Sequence, residues 1–437
     1  MTGADLDVVA ARLIDGRVVD ISVRGGCITE VRDAQGGASR AASPDGTVLD
    51  ADGRLVTTSF VDGHLHLDKV FSLGRVGDAA LTAYTGGSMG GAADAIELAR
   101  AVKQDYDRSW IAPNVRRVLE WSVAHGVLTF QAFVDVDTTG GLEGLSGVLE
   151  ALEDFRDVLD VRIVAFPQDG VVRDPGAAEL VEEALRIGAD AVGGIPWIEE
   201  SDRDAQRHVD WACGLAAREG RRVAMLVDDA GDPALRTTEM LALAMLDHGL
   251  VGRGVACHAR AVGLYAEPSQ RRLAALALRA GLGFVADPQT GPIHLPVGLF
   301  DALGVPVALG QDDVEDAYYP FGRHSMLEVA FLAAHALGWL SAAQQRRLIE
   351  LVTTRAAEVL GVVGHGITVG ARGDVLVHGQ ERVVDLLREH REPDVVVARG
   401  RVVARTSTTT TLHLPGADGS GTIAGDGTDR PRTEAGR

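Results

Sequence analysis

Between Ser59 and Asp313 the sequence alternates short apolar runs with longer amphipathic segments, and this alternation limits the possible folds more than any other feature. Apolar runs predict buried strands, and the amphipathic segments between them predict helices. Such an order is typical of a parallel sheet covered by helices. Eight strands favour closure into a (β/α)₈ barrel of the TIM type, although an open doubly wound sheet would show a similar alternation. The predicted strands are TSFVDGHLHL, VLTFQAFVDVD, VRIVAFPQ, ADAVGGIPWI, RRVAMLVDD, GVACHA, LGFVADP and VPVALGQDD.

The two ends of the chain have a different pattern, with short strand-like pieces separated by glycine and aspartate turn signals. Residues 1–56 and 361–412 share this style, so we predict that they form one small sheet domain beside a barrel of residues 57–360. Residues 413–437 are rich in glycine, threonine and aspartate and lack apolar periodicity, which predicts a disordered tail.

Charge and cysteine content exclude several classes of protein. The chain has 62 acidic and 42 basic residues and a formal charge of -20, whereas nucleic-acid binding needs a basic surface. It has three widely spaced cysteines, no apolar run long enough to cross a bilayer and no N-terminal signal pattern. We therefore expect a cytoplasmic protein that binds a small-molecule substrate and neither nucleic acid nor membrane. Assembly into a homo-oligomer stays open.

A His-x-His pair in the first predicted strand is the first candidate for chemistry. Successive side chains of a strand point to opposite faces, so His64 and His66 point the same way and can share one ion. Two histidines do not complete such a site, because catalytic zinc usually has three protein ligands and a water. Asp312, after the eighth predicted strand, offers a carboxylate that can bind a metal and accept a proton from bound water.

Seven motifs occur in order over roughly residues 5–405: FVDGHLHLDK, VDVD, RIVAFPQDG, ALRIGADAVGGIPWIE, GVACHARAV, GFVADPQTGPIHL and LGQDDVEDAYYPFGRHSMLEV. Together they resemble the amidohydrolase superfamily, and within it the cytosine deaminase group. This resemblance implies a (β/α)₈ barrel with a small β-sandwich domain built from both chain ends. It also implies hydrolysis of a carbon–nitrogen bond by metal-activated water.

The resemblance gives roles to the residues at matching positions. His64, His66 and Asp312 match metal ligands, and three such ligands with open positions suit one divalent ion, zinc or iron. Asp312 also matches the aspartate that moves the proton. His258 matches a histidine that helps to orient the attacking water. We therefore expect Asp312 and His258 to be catalytic.

The same resemblance suggests where the substrate binds. Gln168 matches a glutamine that binds the amide edge of a pyrimidine-like ring, and Tyr318 lies where relatives carry an aromatic side chain that packs on the ring. For these two residues the alternatives are an ordinary polar residue at a strand end and a core aromatic residue. Trp197 and Lys69 lie in matching motifs and are further candidates for substrate binding, although Lys69 can instead pair with Asp68.

The fifth predicted strand departs from the superfamily pattern. Relatives have a His-Cys-Asp-Glu motif there, which supplies a third histidine ligand and a glutamate that protonates the substrate. This chain has Leu226 at the histidine position and Asp229, one methylene shorter, at the glutamate position. Leucine cannot bind a metal, so occupancy by an ion stays open, while Asp229 keeps a carboxylate for catalysis. Asp228 has the same strand parity as Leu226 and is a further candidate ligand.

Three hypotheses remain. The leading one is a divergent metal-dependent amidohydrolase or deaminase that hydrolyses a carbon–nitrogen bond of a cyclic amidine, lactam or heteroaromatic amine. The second is a non-hydrolytic enzyme, such as a cyclase, lyase or isomerase, on the same scaffold without a tightly bound metal, and Leu226 motivates it. The third is a catalytically silent homologue that binds a ligand or a partner protein.

Overall fold

The computed structural model describes residues 4–34, 47–76, 82, 96–98, 100–412 and 421–424. The chain divides into two compact units. The smaller unit contains both chain ends and comprises Met1–Ser59, Val123–Gly126 and Gly364–Arg437. The larger unit comprises Phe60–Ser122 and Val127–Val363.

The strands, numbered along the described part of the chain, are β1 (Leu6–Arg12), β2 (Val18–Arg24), β3 (Cys27–Asp33), β4 (Thr47–Asp50), β5 (Val56–Thr58), β6 (Phe60–His66), β7 (Val127–Asp135), β8 (Asp160–Phe166), β9 (Ala191–Gly194), β10 (Arg222–Val227), β11 (Gly254–His258), β12 (Gly283–Ala286), β13 (Val307–Leu309), β14 (Val375–Val377), β15 (Val395–Ala398), β16 (Arg401–Arg405), β17 (Thr409–Leu412) and β18 (Gly421–Ala424).

The α-helices, numbered in the same way, are α1 (Leu73–Val76), α2 (Arg108–His125), α3 (Glu143–Leu152), α4 (Ala177–Ile187), α5 (Asp202–Arg218), α6 (Thr237–Asp247), α7 (Glu267–Ala280), α8 (Val297–Ala302), α9 (Met326–Ala336), α10 (Ala342–Leu351), α11 (Thr354–Leu360) and α12 (Val383–Glu389). Short 3-10 helices lie at Glu153–Phe155, Pro196–Ile198 and Arg260–Leu264.

The larger unit is a parallel barrel. Strands β6 to β13 pair in chain order, and each coincides with one of the eight predicted apolar runs. The sheet closes where Leu65 forms a parallel bridge with Asp312. There His66 N donates to Asp312 O and Asp312 N donates to His64 O, each at 2.8 Å. These contacts confirm the predicted (β/α)₈ barrel.

Local sequence explains how the barrel elements form. Parallel strands covered on both faces need continuous apolar runs, and every residue of β7 is buried. Helix α5 begins after Ser201, whose side chain accepts a hydrogen bond from Asp204 N at 3.2 Å and so caps the helix. Its apolar residues recur at helical spacing, so Val209, Ala212 and Ala216 are buried where the helix contacts β9 and β10.

The smaller unit has two antiparallel-rich sheets that share one apolar core. The first has the order β3-β2-β1-β4, and the second has the order β16-β15-β14-β5. Val8 and Ile21 of the first sheet belong to the same buried cluster as Val375 and Val397 of the second. The predicted β-sandwich built from both chain ends is therefore confirmed.

The predicted disordered tail, residues 413–437, lies outside the described residues except for Gly421–Ala424. Those four residues pair in antiparallel fashion with Thr409–Leu412. Among the described residues, no helix is both long enough and apolar enough to cross a membrane.

Candidate functional site

A pocket of about 360 Å³ opens at the C-terminal ends of the barrel strands, which is the face where TIM-type barrels carry their functional residues. Most of the residues that line it follow different strands of the barrel, so the fold and not sequence proximity brings them together. The pocket is lined by His66, Ile96, Gln168, Ile195, Trp197, Leu226, Asp229, His258, Asp312, Asp313 and Tyr318.

The three predicted metal ligands meet beside this pocket. His64 Nε2 lies 3.1 Å from Asp312 Oδ1, and His66 Nε2 lies 3.8 Å from the same oxygen. One donor atom from each of the three side chains lies within 4.8 Å of the others, and all three residues are buried. The structure therefore brings together two ligands from β6 and one from the segment after β13.

Asp62 holds this arrangement in place. Its Oδ1 accepts hydrogen bonds from His64 N and Gln311 N, each at 3.0 Å. One buried carboxylate thus ties the start of the His-x-His pair to the residue before Asp312. Asp312 itself has φ 71°, a left-handed conformation that is uncommon for residues other than glycine and that often marks functional sites.

The donor set fits a divalent ion. Neither ring nitrogen of His64 nor Nδ1 of His66 has a hydrogen-bond partner, although these atoms are buried. Buried polar atoms in proteins are almost always hydrogen-bonded, so His64 Nε2, which faces Asp312 Oδ1 at 3.1 Å without a hydrogen bond, suits a bound ion. Burial, together with the charge of Lys69, lowers the pKa of His66 well below its usual value, which keeps the ring in the neutral form that binds metals.

His258, at the end of β11, borders the same point from another side. Its Nε2 lies 4.0 Å from Asp312 Oδ1, and its Nδ1 lies 3.0 Å from Asp287 Oδ1 in a hydrogen bond that fixes the ring. Burial lowers the pKa of His258, but the charges of Asp229, Asp287 and Asp312 outweigh burial and raise this pKa to about 9. Three carboxylates therefore surround the imidazole ring of His258.

The fifth strand contributes an alkyl side chain and a carboxylate to the pocket. Leu226, on β10, is 4% exposed and belongs to the apolar cluster of the barrel interior. Asp229 lines the pocket two residues after that strand, and its Oδ1 lies 3.1 Å from Arg260 Nη1. Both positions at which this strand departs from the superfamily pattern therefore line the pocket.

Asp228 does not join the site, and the prediction that it faces an ion is wrong. Its Oδ1 accepts hydrogen bonds from Thr237 N and Thr237 Oγ1 at 2.6 and 2.8 Å, and its Oδ2 accepts one from Tyr265 OH at 3.0 Å. These bonds cap helix α6. Asp228 has φ 46°, so the alternation of a regular strand no longer applies at this residue.

Three of the predicted substrate-binding residues, Lys69, Gln168 and Tyr318, form a connected wall. Lys69 Nζ donates to Gln168 Oε1, and Gln168 Nε2 donates to Tyr318 OH at 2.9 Å. These two bonds orient the Gln168 amide, with its oxygen towards Lys69 and its nitrogen towards Tyr318. Trp197 is 4% exposed, and its indole Nε1 is a buried donor without a hydrogen-bond partner.

Lys69 lines a second cavity of about 290 Å³, which shares Gln168 and Tyr318 with the first. Its ammonium also contacts Asp135, with Nζ 3.0 Å from Oδ1. Burial would lower the pKa of Lys69, but Asp135 and other neighbouring carboxylates outweigh burial and raise this pKa above its usual range. Lys69 is therefore a buried cation that reaches the main pocket through Gln168.

Sequence reasoning missed Arg260, which lies two residues after His258. The guanidinium contacts Asp229, Asp287 and Asp312. Burial raises the pKa of Asp287, but Arg260 and His258 outweigh burial and lower this pKa well below its usual range. The available signal was an arginine, in addition to His258, inside the mostly apolar run GVACHARAV.

Comparison with known proteins gives concordant results. The model of the amidohydrolase family matches residues 47–404. N-isopropylammelide isopropyl amidohydrolase of Pseudomonas sp. strain ADP is 28% identical over 374 residues, which cover 83% of this chain and 90% of that protein. Pterin deaminase of Rhizobium rhizogenes is 28% identical over 410 residues, which cover 89% of this chain and 88% of that protein. The crystal structure of 5-methylcytosine deaminase from Klebsiella pneumoniae superimposes with a TM-score of 0.82 at 24% identity, covering 94% of this chain and 99% of that one, and shows a shared fold.

Proposed function

Because this chain belongs to the amidohydrolase family, we propose that it hydrolyses a carbon–nitrogen bond of a cyclic amidine, lactam or heteroaromatic amine with the help of one divalent metal ion. The observation that carries the proposal is the meeting of His64, His66 and Asp312 at one point, with both ring nitrogens of His64 buried and without a hydrogen-bond partner. The relatives named as an amidohydrolase of N-isopropylammelide and as a pterin deaminase support this class of reaction.

A zinc or iron ion bound by His64, His66 and Asp312 would activate water for attack at neutral pH. The residues of the chain hold the reactants and move protons. Asp312 lines the pocket, so its carboxylate is within reach of a water there and can accept its proton. His258, fixed by Asp287, orients that water.

We assign the proton transfer to the substrate to Asp229. Its carboxyl group lines the pocket beside Leu226 and His258. A carboxylate in that position can take up one proton of the attacking water and donate it to a ring nitrogen, and Asp312 can pass the second proton of that water to the departing amine. The carbon–nitrogen bond then breaks, and the leaving nitrogen departs as ammonia or as an alkylamine.

The wall formed by Lys69, Gln168 and Tyr318 favours a substrate edge that accepts hydrogen bonds. Lys69 donates a hydrogen bond to Gln168 Oε1, and Gln168 Nε2 donates one of its two hydrogens to Tyr318 OH. The second N–H of the amide is therefore available to a ligand. Trp197 Nε1 can only donate. An oxo group next to a ring nitrogen would satisfy both donors, while the ring of Tyr318 would pack on the substrate.

Leu226 favours a second candidate function. Without a ligand from β10 the ion has fewer bonds to the protein, and a cyclase, lyase or isomerase could use the same pocket without a tightly bound metal. Such an enzyme would keep its rate after the metal is removed.

The test is a substrate screen before and after metal removal. Protein purified without chelators is assayed for ammonia or amine release from amino- and alkylamino-substituted heteroaromatics that carry an oxo group. We expect turnover that is lost on chelation and restored by Zn²⁺ or Fe²⁺. His66→Ala should abolish it, whereas the control His335→Ala, exposed on α9, should not. Equal turnover by metal-depleted and metal-loaded enzyme would overturn the proposal in favour of the second candidate.

A further inference from the structure

Arg260 is a buried arginine that begins the short helix after β11, and its guanidinium joins three carboxylates. Nη1 lies 3.1 Å from Asp229 Oδ1. Nη2 donates to Asp287 Oδ2 and to Thr290 Oγ1 at 2.6 Å, and it lies 3.4 Å from Asp312 Oδ2 in an ion pair. The side chain is only 9% exposed, so these contacts form where water screens charges weakly.

Asp312 divides its two oxygens between the metal ligands and this arginine. Its Oδ1 faces His64 and His66, at 3.1 and 3.8 Å from their Nε2 atoms. Its Oδ2 faces Arg260. Arg260, a cation of the protein itself, therefore contacts the same carboxylate that would bind the metal ion.

We propose that Arg260 is a positioning residue that keeps Asp229 out of the metal's coordination sphere and lowers the affinity of the site for a divalent ion. The proposal rests on the proposed function, because it concerns the ion of the same site. Arg260 holds Asp229 as an acid–base group facing the substrate, and its charge repels an ion that is bound through Asp312.

The guanidinium suits this role better than an ammonium. Its planar fork carries several fixed N–H groups, so one side chain can orient carboxylates that approach from different strands. Asp229 follows β10, Asp287 follows β12 and Asp312 follows β13. A lysine would keep the charge but would hold fewer of these groups in fixed directions.

The arrangement also relates to Leu226. That residue leaves β10 without a ligand, and Asp229 is the carboxylate of the same strand end that lines the pocket. With its Oδ1 in an ion pair with Arg260 that is not a hydrogen bond, Asp229 stays available for proton transfer, and coordination positions stay open for water and substrate.

The test is titration of the metal-free protein with Co²⁺ in competition with a chelator of known affinity, read from visible absorption. Removing a positive charge next to Asp312 should raise the affinity, so we expect Arg260→Gln to bind Co²⁺ on the order of 10-fold more tightly than wild type. Arg260→Lys keeps the charge and should stay within about threefold of wild type. The control Arg271→Gln removes an exposed arginine that pairs with Glu267 on α7, and should match wild type.

A second readout concerns Asp229 directly. In wild type and in Asp229→Asn the Co²⁺ spectrum should be the same, because Asp229 is not a ligand. In Arg260→Gln the absorption should weaken, as expected when a released carboxylate raises the coordination number. Turnover should fall in both Arg260 variants, because Asp229 is no longer held in place.

Each outcome has a defined meaning. Unchanged or weaker Co²⁺ binding by Arg260→Gln overturns the proposal, and so does a spectrum that changes in Asp229→Asn. If Arg260→Gln does not fold, the comparison of wild type with Asp229→Asn decides. Wild-type protein that takes up no Co²⁺ overturns the metal-dependent function itself, whereas normal uptake without hydrolysis of any tested compound overturns the reaction class and leaves the role of Arg260 standing.

Discussion

Replacing Lys69 with methionine should weaken substrate binding, because it releases the amide of Gln168. Lys69 Nζ donates to Gln168 Oε1 and lies 3.0 Å from Asp135 Oδ1. A hydrogen bond to a charged group contributes about 1.5–3 kcal/mol. If that energy holds the amide in its binding orientation, Lys69→Met should raise KM about 10- to 100-fold, with a smaller effect on kcat.

The same substitution should also lower the free energy of unfolding. Removing one partner of a buried ion pair costs about 3–5 kcal/mol. Two features reduce this cost: burial raises the pKa of Asp135, so that its carboxyl group can take up a proton, and Lys103 Nζ lies 3.7 Å from Asp135 Oδ2. We therefore expect a loss of about 3 kcal/mol in denaturant unfolding.

Lys103→Met is the matched control, because Lys69 and Lys103 are the two lysines of the chain and both contact Asp135. Lys103 Nζ also donates to Asp137 and Asp169, at 2.7 and 2.8 Å. This variant should lose a similar amount of stability but change KM by less than about threefold. A wild-type KM in Lys69→Met, or equal changes of KM in both variants, would refute the reasoning.

Three other substitutions test the metal position, the small β domain and a loop of the barrel. Leu226→His adds an imidazole to the pocket wall and should raise metal affinity by at least about tenfold in chelator competition; unchanged affinity would mean that β10 does not reach the ion. Burial lowers the pKa of His378 to about 3, so the unfolded chain binds the extra proton, and the free energy of unfolding should fall as pH drops from about 6.5 towards 3. His378→Asn should flatten this dependence in urea unfolding, and an equally steep curve would count against it. Glu199 accepts hydrogen bonds from the N–H groups of residues 171–173 at 2.7, 3.0 and 3.0 Å, so Glu199→Gln should cost about 1–3 kcal/mol and speed amide exchange there. Unaltered exchange would show that the loop is held by other contacts.

Much of the barrel and part of the site follow from local sequence. Strands buried on both faces need apolar runs, which is why all eight could be located, and the two-residue period of a strand puts His64 and His66 on one face. The same period fails for Asp228, because its backbone has left the strand with φ 46°. Periodicity applies only while the strand conformation continues.

The contacts of Lys69 and Arg260 could not be predicted in this way. Lys69 is 99 positions away from Gln168, and Arg260 is 52 positions away from Asp312. Both pairs depend on how strand ends meet at one face of the barrel and on which rotamer each long side chain adopts. A sequence motif records neither, so the residues that hold the site in place are harder to predict than the residues that form it.

The most direct test of the central claim is anomalous diffraction from crystals of protein purified without chelators, measured on both sides of the zinc and iron absorption edges. We predict one anomalous peak among His64, His66 and Asp312, at the point where their donor atoms meet. No peak there, in crystals of an enzyme that turns over its substrate at full rate, would contradict a metal-dependent mechanism for this chain.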